Sequence, residues 1–211
     1  MEKSYRLLGY ILLALIPLTF IGFYKTYFVH FFNFRDSIET LVHVHAFIAS
    51  MWILTLIIQP ILILNKKNKI HKTIGKISYL LFPLLILSFI PQMINKINSD
   101  DVKSLYFSIA DSFLLITFYS LAIRNRKTVS KHMRYMITIA LVFIFPTFGR
   151  ISGNLLGWSN LLGQNVSYGI IFIVLIGLIY YDRSKKRKYS PYLLAIVFFV
   201  MHQIGFHIVF I

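Results

Sequence analysis

The chain contains no cysteine. Disulfides, iron–sulfur clusters and thiol catalysis are therefore excluded. Acid is scarce as well: seven Asp and Glu stand against 22 Lys and Arg, for a net charge of +15. Charge of both signs together reaches only 14% of the 211 residues. A soluble domain would carry about a quarter. The deficit points to a surface that faces lipid. Seven histidines are too few for the histidine clusters of membrane hydroxylases and desaturases.

Apolar residues fill the gap, at 57%, of which aromatics make up 17% of the chain. A net charge of this size in a soluble protein would suggest nucleic acid. Here the positions argue otherwise, because most Lys and Arg fall in three short clusters between apolar runs. No nucleic-acid partner is expected.

Crossing a bilayer takes about 20 mostly apolar residues. Seven stretches qualify or nearly so: 7–24, 40–64, 74–94, 105–123, 133–149, 167–181 and 191–211. The fifth and sixth are short and should extend into their flanks. The first lacks a small-x-small cleavage site and reads as a retained helix, with a signal anchor as the alternative. The expected architecture is all-α: one integral membrane domain over 1–211, built as a seven-helix transmembrane bundle.

Charge sets its orientation. Lys66, Lys67, Lys69, Lys72 and Lys76 form one cluster. Arg124, Arg126, Lys127, Lys131 and Arg134 form the second. Arg183, Lys185, Lys186, Arg187 and Lys188 form the third. These are alternate loops, so they share a side with Lys3 and Arg6. Seventeen basic residues on that side against five on the other place the N-terminus in the cytoplasm and the C-terminus outside. Residues 149–163 read as the longest outer loop, rich in turn residues. The first two basic loops also echo each other. Asn65-Lys66-Lys67 leads to His71-Lys72, and Asn125-Arg126-Lys127 leads to His132-Met133-Arg134. Two hairpins of common origin would explain this, and so would chance.

An ionisable residue within a membrane span is costly and marks a functional site by default. At about 1.5 Å per residue, His43 and His45 fall roughly 5–8 Å below the outer end of their helix. Asp111 falls about 9 Å below its own, His207 about 6 Å and His202 about 14 Å. Arg150 sits at the outer end of the fifth span, and Gln92 and Asn154 lie near the same level. Imidazoles and a carboxylate from different helices suit a transition metal or a haem. His43 and His45 are about 200° apart around a helix, and His202 and His207 about 140°. A ligand set would thus take one His from each pair. Asp111 would be the third ligand or an imidazole partner, and Arg150 would hold an anionic group. The competing reading is a polar layer that only aligns helices. On the inner side, His71, Lys72, His132 and Arg134 are candidates for an anion or lipid headgroup.

Several of these residues carry a resemblance. His43-Val44-His45, Trp52, Gln59, the run Ile70–Lys76, Lys131-His132-Met133-Arg134 and Gly149-Arg150 resemble a group of uncharacterised bacterial multi-pass membrane proteins. The resemblance covers roughly residues 7–180. It implies the bacterial inner membrane and no settled activity. The His-Met-Arg at a helix start is also similar to membrane proteins that assist haem–copper oxidase assembly. His202, His207 and Asp111 resemble the last-helix His pair and intramembrane Asp of the progestin and adiponectin receptor type of zinc hydrolase. That family's pair is four apart and near the cytoplasmic end. Here it is five apart and near the outer end.

The expected function is a multi-pass membrane protein with an outer-leaflet His/Asp/Arg site for haem or a transition metal. Its role would be redox work or assembly of a respiratory component. Its partners would be the bilayer and a respiratory component or lipid substrate. The alternatives are a zinc-dependent lipid hydrolase, a small proton-coupled transporter and a layer that serves packing alone.

Overall fold

In the computed structural model, residues 5–32 and 39–211 are described. Lys3 and Arg35, two of the residues used for the orientation, lie outside them. Among the described residues there is no strand, and seven helices are long and apolar enough to cross a membrane. They are α1 (Leu8–Phe31), α2 (Thr40–Leu64), α3 (Asn68–Asn98), α4 (Val102–Arg124), α5 (Val129–Asn154), α6 (Asn160–Ser184) and α7 (Ser190–Phe210). The chain is a multi-pass membrane protein. The two short stretches do extend into their flanks. Residues 149–163 are mostly helical rather than a loop: α5 runs on to Asn154 and α6 starts at Asn160. Ser159 caps α6 by accepting from the Leu162 N–H at 3.3 Å, and Gly157 takes the left-handed conformation, φ 66°, that glycine adopts without strain.

Prolines account for two of the helix irregularities. In α3 the α-helical pattern lapses at Ser88–Phe89, just before Pro91, which has no N–H to give to the turn above. In α5 it lapses at Phe143, before Pro146. Side chains add hydrogen bonds around the second site. The Thr147 hydroxyl donates to Phe143 O at 2.7 Å, and Arg150 Nη1 donates to Pro146 O at 2.9 Å.

By their internal contacts the helices form two compact units, residues 1–108 and 109–211, with the boundary inside α4. In the first unit α2 packs on both α1 and α3. Its core centres on Trp52, fully buried, with its ring 5.1 Å from that of Phe82. Gly9 lets α1 approach closely, since a Cβ there would strike the Ile61 side chain of α2. In the second unit α6 packs on α5 and α7, and α7 packs on α5. Gly163 serves the same purpose as Gly9, because a Cβ there would strike Ser152.

The polarity is that of a lipid-facing protein. Phe47, Leu80, Ile173 and Ile208 are two-thirds or more exposed. Arg134, Thr138 and Asp182 are fully buried. Water would favour the reverse, whereas lipid tails take the apolar side chains and leave polar groups to find partners inside.

Candidate functional site

In the first unit the two histidines of α2 point to different helices, as their angular separation requires. His43 Nδ1 shares a hydrogen bond of 2.9 Å with the Tyr27 hydroxyl of α1. His45 Nδ1 shares one of 2.8 Å with the Ser88 hydroxyl of α3, and its ring lies 4.8 Å from that of Phe89. The Ser88 hydroxyl also donates to Leu85 O at 2.6 Å. With that proton committed, the bond to His45 is an Nδ1–H donating to the Ser88 oxygen. Ser88 stands at the interruption before Pro91. Toward the loop that follows α2, Gln59 Nε2 donates to His71 O at 3.2 Å. Gln59 thereby joins α2 to the start of α3. Ser50 and Thr55 return their hydroxyls to carbonyls one turn back, at 2.7 and 2.8 Å.

The second unit differs in charge. It contains only two acidic residues, Asp111 and Asp182, and both are buried. Asp111 on α4 accepts from or donates to His202 Nε2 on α7 at 3.1 Å. The opposite ring nitrogen, Nδ1, lies 2.7 Å from the Tyr168 hydroxyl of α6. That same hydroxyl is 3.2 Å from His202 O. Phe145 of α5 lies flat on the imidazole, with ring centroids 4.8 Å apart and planes within 6°. Four helices therefore meet at one histidine. Arg150, one and a half turns beyond Phe145, is close enough for its charge to interact with the Asp111 carboxylate.

This geometry satisfies His202 in two protonation states. When the ring is neutral, the Tyr168 hydroxyl donates to Nδ1 and Nε2–H donates to Asp111. When the ring is an imidazolium, Nδ1–H donates to the Tyr168 oxygen, and the phenolic proton turns to His202 O. Nε2–H stays on Asp111 in both. No buried donor is stranded in either state, which would otherwise cost about 1–3 kcal/mol. The face of Phe145 also favours a cation beside it.

His207 belongs to a separate group. Its Nε2 lies 3.0 Å from Asn165 Oδ1, which also accepts from Gln203 Nε2 at 3.2 Å. The expected set is therefore resolved as follows. Asp111 and His202 are hydrogen-bonded, Arg150 bonds Pro146 O within electrostatic range of Asp111, His207 is held by Asn165, and His43 and His45 engage Tyr27 and Ser88 within the first unit. Among the described residues, no three His, Cys, Asp or Glu side chains are grouped to hold a metal ion. Both ring nitrogens of His202 already have partners, so a metal or haem iron would have to displace Tyr168 or Asp111.

At the basic-loop end of the second unit, the sequence suggests Arg134 as an anion binder with His71, Lys72 and His132. Its guanidinium instead meets Asp182 in a two-bond fork. Nε donates to Oδ2 at 2.7 Å and Nη2 to Oδ1 at 2.8 Å, with both side chains fully buried. Nη1 donates to Ser130 O at 2.8 Å. The Tyr192 ring of α7 lies beneath, 5.9 Å from the guanidinium carbon. His132 Nδ1 lies 2.9 Å from Ala122 O, which joins α5 to the end of α4. Lys72 remains exposed.

Sequence reasoning missed Tyr168, Phe145 and Asp182. Asp182 carried a signal, being the one acid at the head of a basic run. Tyr168 and Phe145 carried none, because an aromatic in a membrane helix is ordinary. Comparison of the chain with protein-family models, with curated proteins and with solved structures finds no match.

Proposed function

We propose that this is a proton-coupled membrane protein, with His202 as the group that takes up and releases the proton. Asp111 and Tyr168 hold the ring in both states, and Arg150 balances the Asp111 charge. The single observation behind this reading is the Tyr168 hydroxyl placed within reach of two acceptors, His202 Nδ1 and His202 O. A packing histidine needs one partner arrangement, and a proton carrier needs two. A small transporter of this kind, in the cytoplasmic membrane of a bacterium with its N-terminus inside, fits the basic loops and the apolar belt. Reporter fusions after Lys67, Arg126 and Lys186 test that orientation, and an outer signal at any of them would reverse it.

The functional test uses proteoliposomes with a pH-sensitive dye inside and an imposed pH gradient. The unaltered protein should collapse the gradient faster than empty vesicles. Asp111→Asn and Tyr168→Phe should slow the collapse about tenfold or more. The same preparations, with histidine labelled by nitrogen-15, report the ring state directly. A gradient unaffected by the protein, together with a His202 ring fixed in one state across pH, would end this reading. A haem absorption band or near-stoichiometric metal in the purified protein would replace it with the cofactor site expected from sequence.

A further inference from the structure

The proton site leaves the other buried carboxylate of the second unit unused. Asp182 lies near the end of α6, beside Arg183, Lys185, Lys186, Arg187 and Lys188, most of them exposed. It forms a fork with Arg134, the fully buried cation at the start of α5. A pair buried this way is a poor means of gaining stability, because two desolvated ions roughly cancel the attraction they recover. Its distinguishing property is that it is strong when closed and, when open, leaves two charges that need water. Such an element has two distinct arrangements rather than a range of them.

What lies behind the pair is apolar. One turn further along α5, Thr138 is fully buried, with its hydroxyl on Arg134 O at 3.1 Å. Beyond it come Ile139, Ile171, Leu175 and Phe199, all with no exposure, before His202 is reached. Tyr135, next to Arg134, begins a run of ring contacts through Phe118, Phe199 and Phe145 to His202. From Asp182 to Tyr168 along α6 is about 21 Å, so no proton passes directly between the two polar sites. The second unit thus has a polar pair at the basic-loop end, a dry aromatic middle and the His202 site toward the other end.

We propose that Arg134–Asp182 is a latch that closes the basic-loop end of the second unit, and that its opening admits water between α5, α6 and α7. The latch stands on its own geometry and does not require that His202 carry protons.

The absence of native cysteine makes the test direct. Thr138→Cys places one thiol behind the latch, and Ser184→Cys places one at an exposed control position. Both are reconstituted in lipid nanodiscs, where reagent reaches each face, and reacted with a membrane-impermeant maleimide. With Arg134 and Asp182 intact, Cys at 138 should react slowly. Adding Asp182→Asn should speed it by about tenfold or more, while the control thiol keeps its rate. Equal rates at 138 with and without Asp182→Asn overturn the latch. Should Asp182→Asn fail to fold, hydrogen exchange on the unaltered protein decides. The backbone amides of 134–138 and 178–182 should then open together and faster than the central turns of α5 and α6. Protection that is uniform along both helices overturns the proposal. Proton flux is not part of either measurement, so the latch can fail while the His202 reading stands, and the reverse.

Discussion

In the first unit His43 and His45 meet hydroxyls, those of Tyr27 and Ser88. In the second, His202 and Arg134 meet carboxylates, Asp111 and Asp182. Both kinds of bond join neighbouring helices, yet they differ in what they can do. A histidine bonded to a hydroxyl is satisfied while neutral, and it costs little to bury. Measured interhelical bonds of this kind contribute on the order of half a kcal/mol. A carboxylate brings a charge that must be desolvated, and losing its partner leaves that charge stranded. The first unit therefore uses polar groups to fix helix positions. The second places its only two acids in buried bonds to His202 and Arg134.

That contrast can be broken, beginning where the effect should be largest. Arg134→Ala or Asp182→Ala leaves an uncompensated ion in a dry interior and should lower stability by about 3–5 kcal/mol. Unfolding in mixed micelles measures it, and a loss under about 1 kcal/mol would mean that the pair is wet. Next comes close packing, which both units share. Gly163→Ala drives a methyl into Ser152 and should cost about 1–3 kcal/mol, with Ser152→Gly in the same chain recovering most of it. No recovery would place the cost in the backbone of α6 instead of the contact. The smallest effect belongs to the first unit. His43→Ala and His45→Ala should each cost roughly 0.6 kcal/mol and leave proton flux unchanged in the proteoliposome assay. Loss of flux in either variant would bring the first unit into the functional site and erase the distinction drawn here.

Some of the site was readable before any coordinates. Asp111 and His202 stood out because burying them in an apolar run is costly, and they share a hydrogen bond. His43 and His45 stood out for the same reason, and their separation of about 200° already implied two different partners. The identity of those partners was not readable. Tyr27 is one of 13 tyrosines, and nothing local distinguishes it. Arg134 misled because the positive-inside pattern explains a basic residue at a helix start equally well. Only its burial and the fork to Asp182, 48 residues away, separate it from Lys131 beside it. Residues 149–163 misled for another reason. Glycine, serine and asparagine favour turns in water, but Ser152 sits in the helical interior, where its hydroxyl bonds Gly149 O at 2.9 Å.

The sequence by itself determined the class of protein, the number of membrane-length helices and which costly side chains lie within the apolar runs. Those follow from apolar run length and from the energy of charge in hydrocarbon, and both are properties of local composition. Tertiary structure alone decided which costly groups became partners. Pairing depends on the rotation and register of each helix against its neighbours. These are set by contacts such as Phe145 on His202 and Arg134 on Asp182, between residues far apart in the chain, so no stretch of sequence encodes them locally.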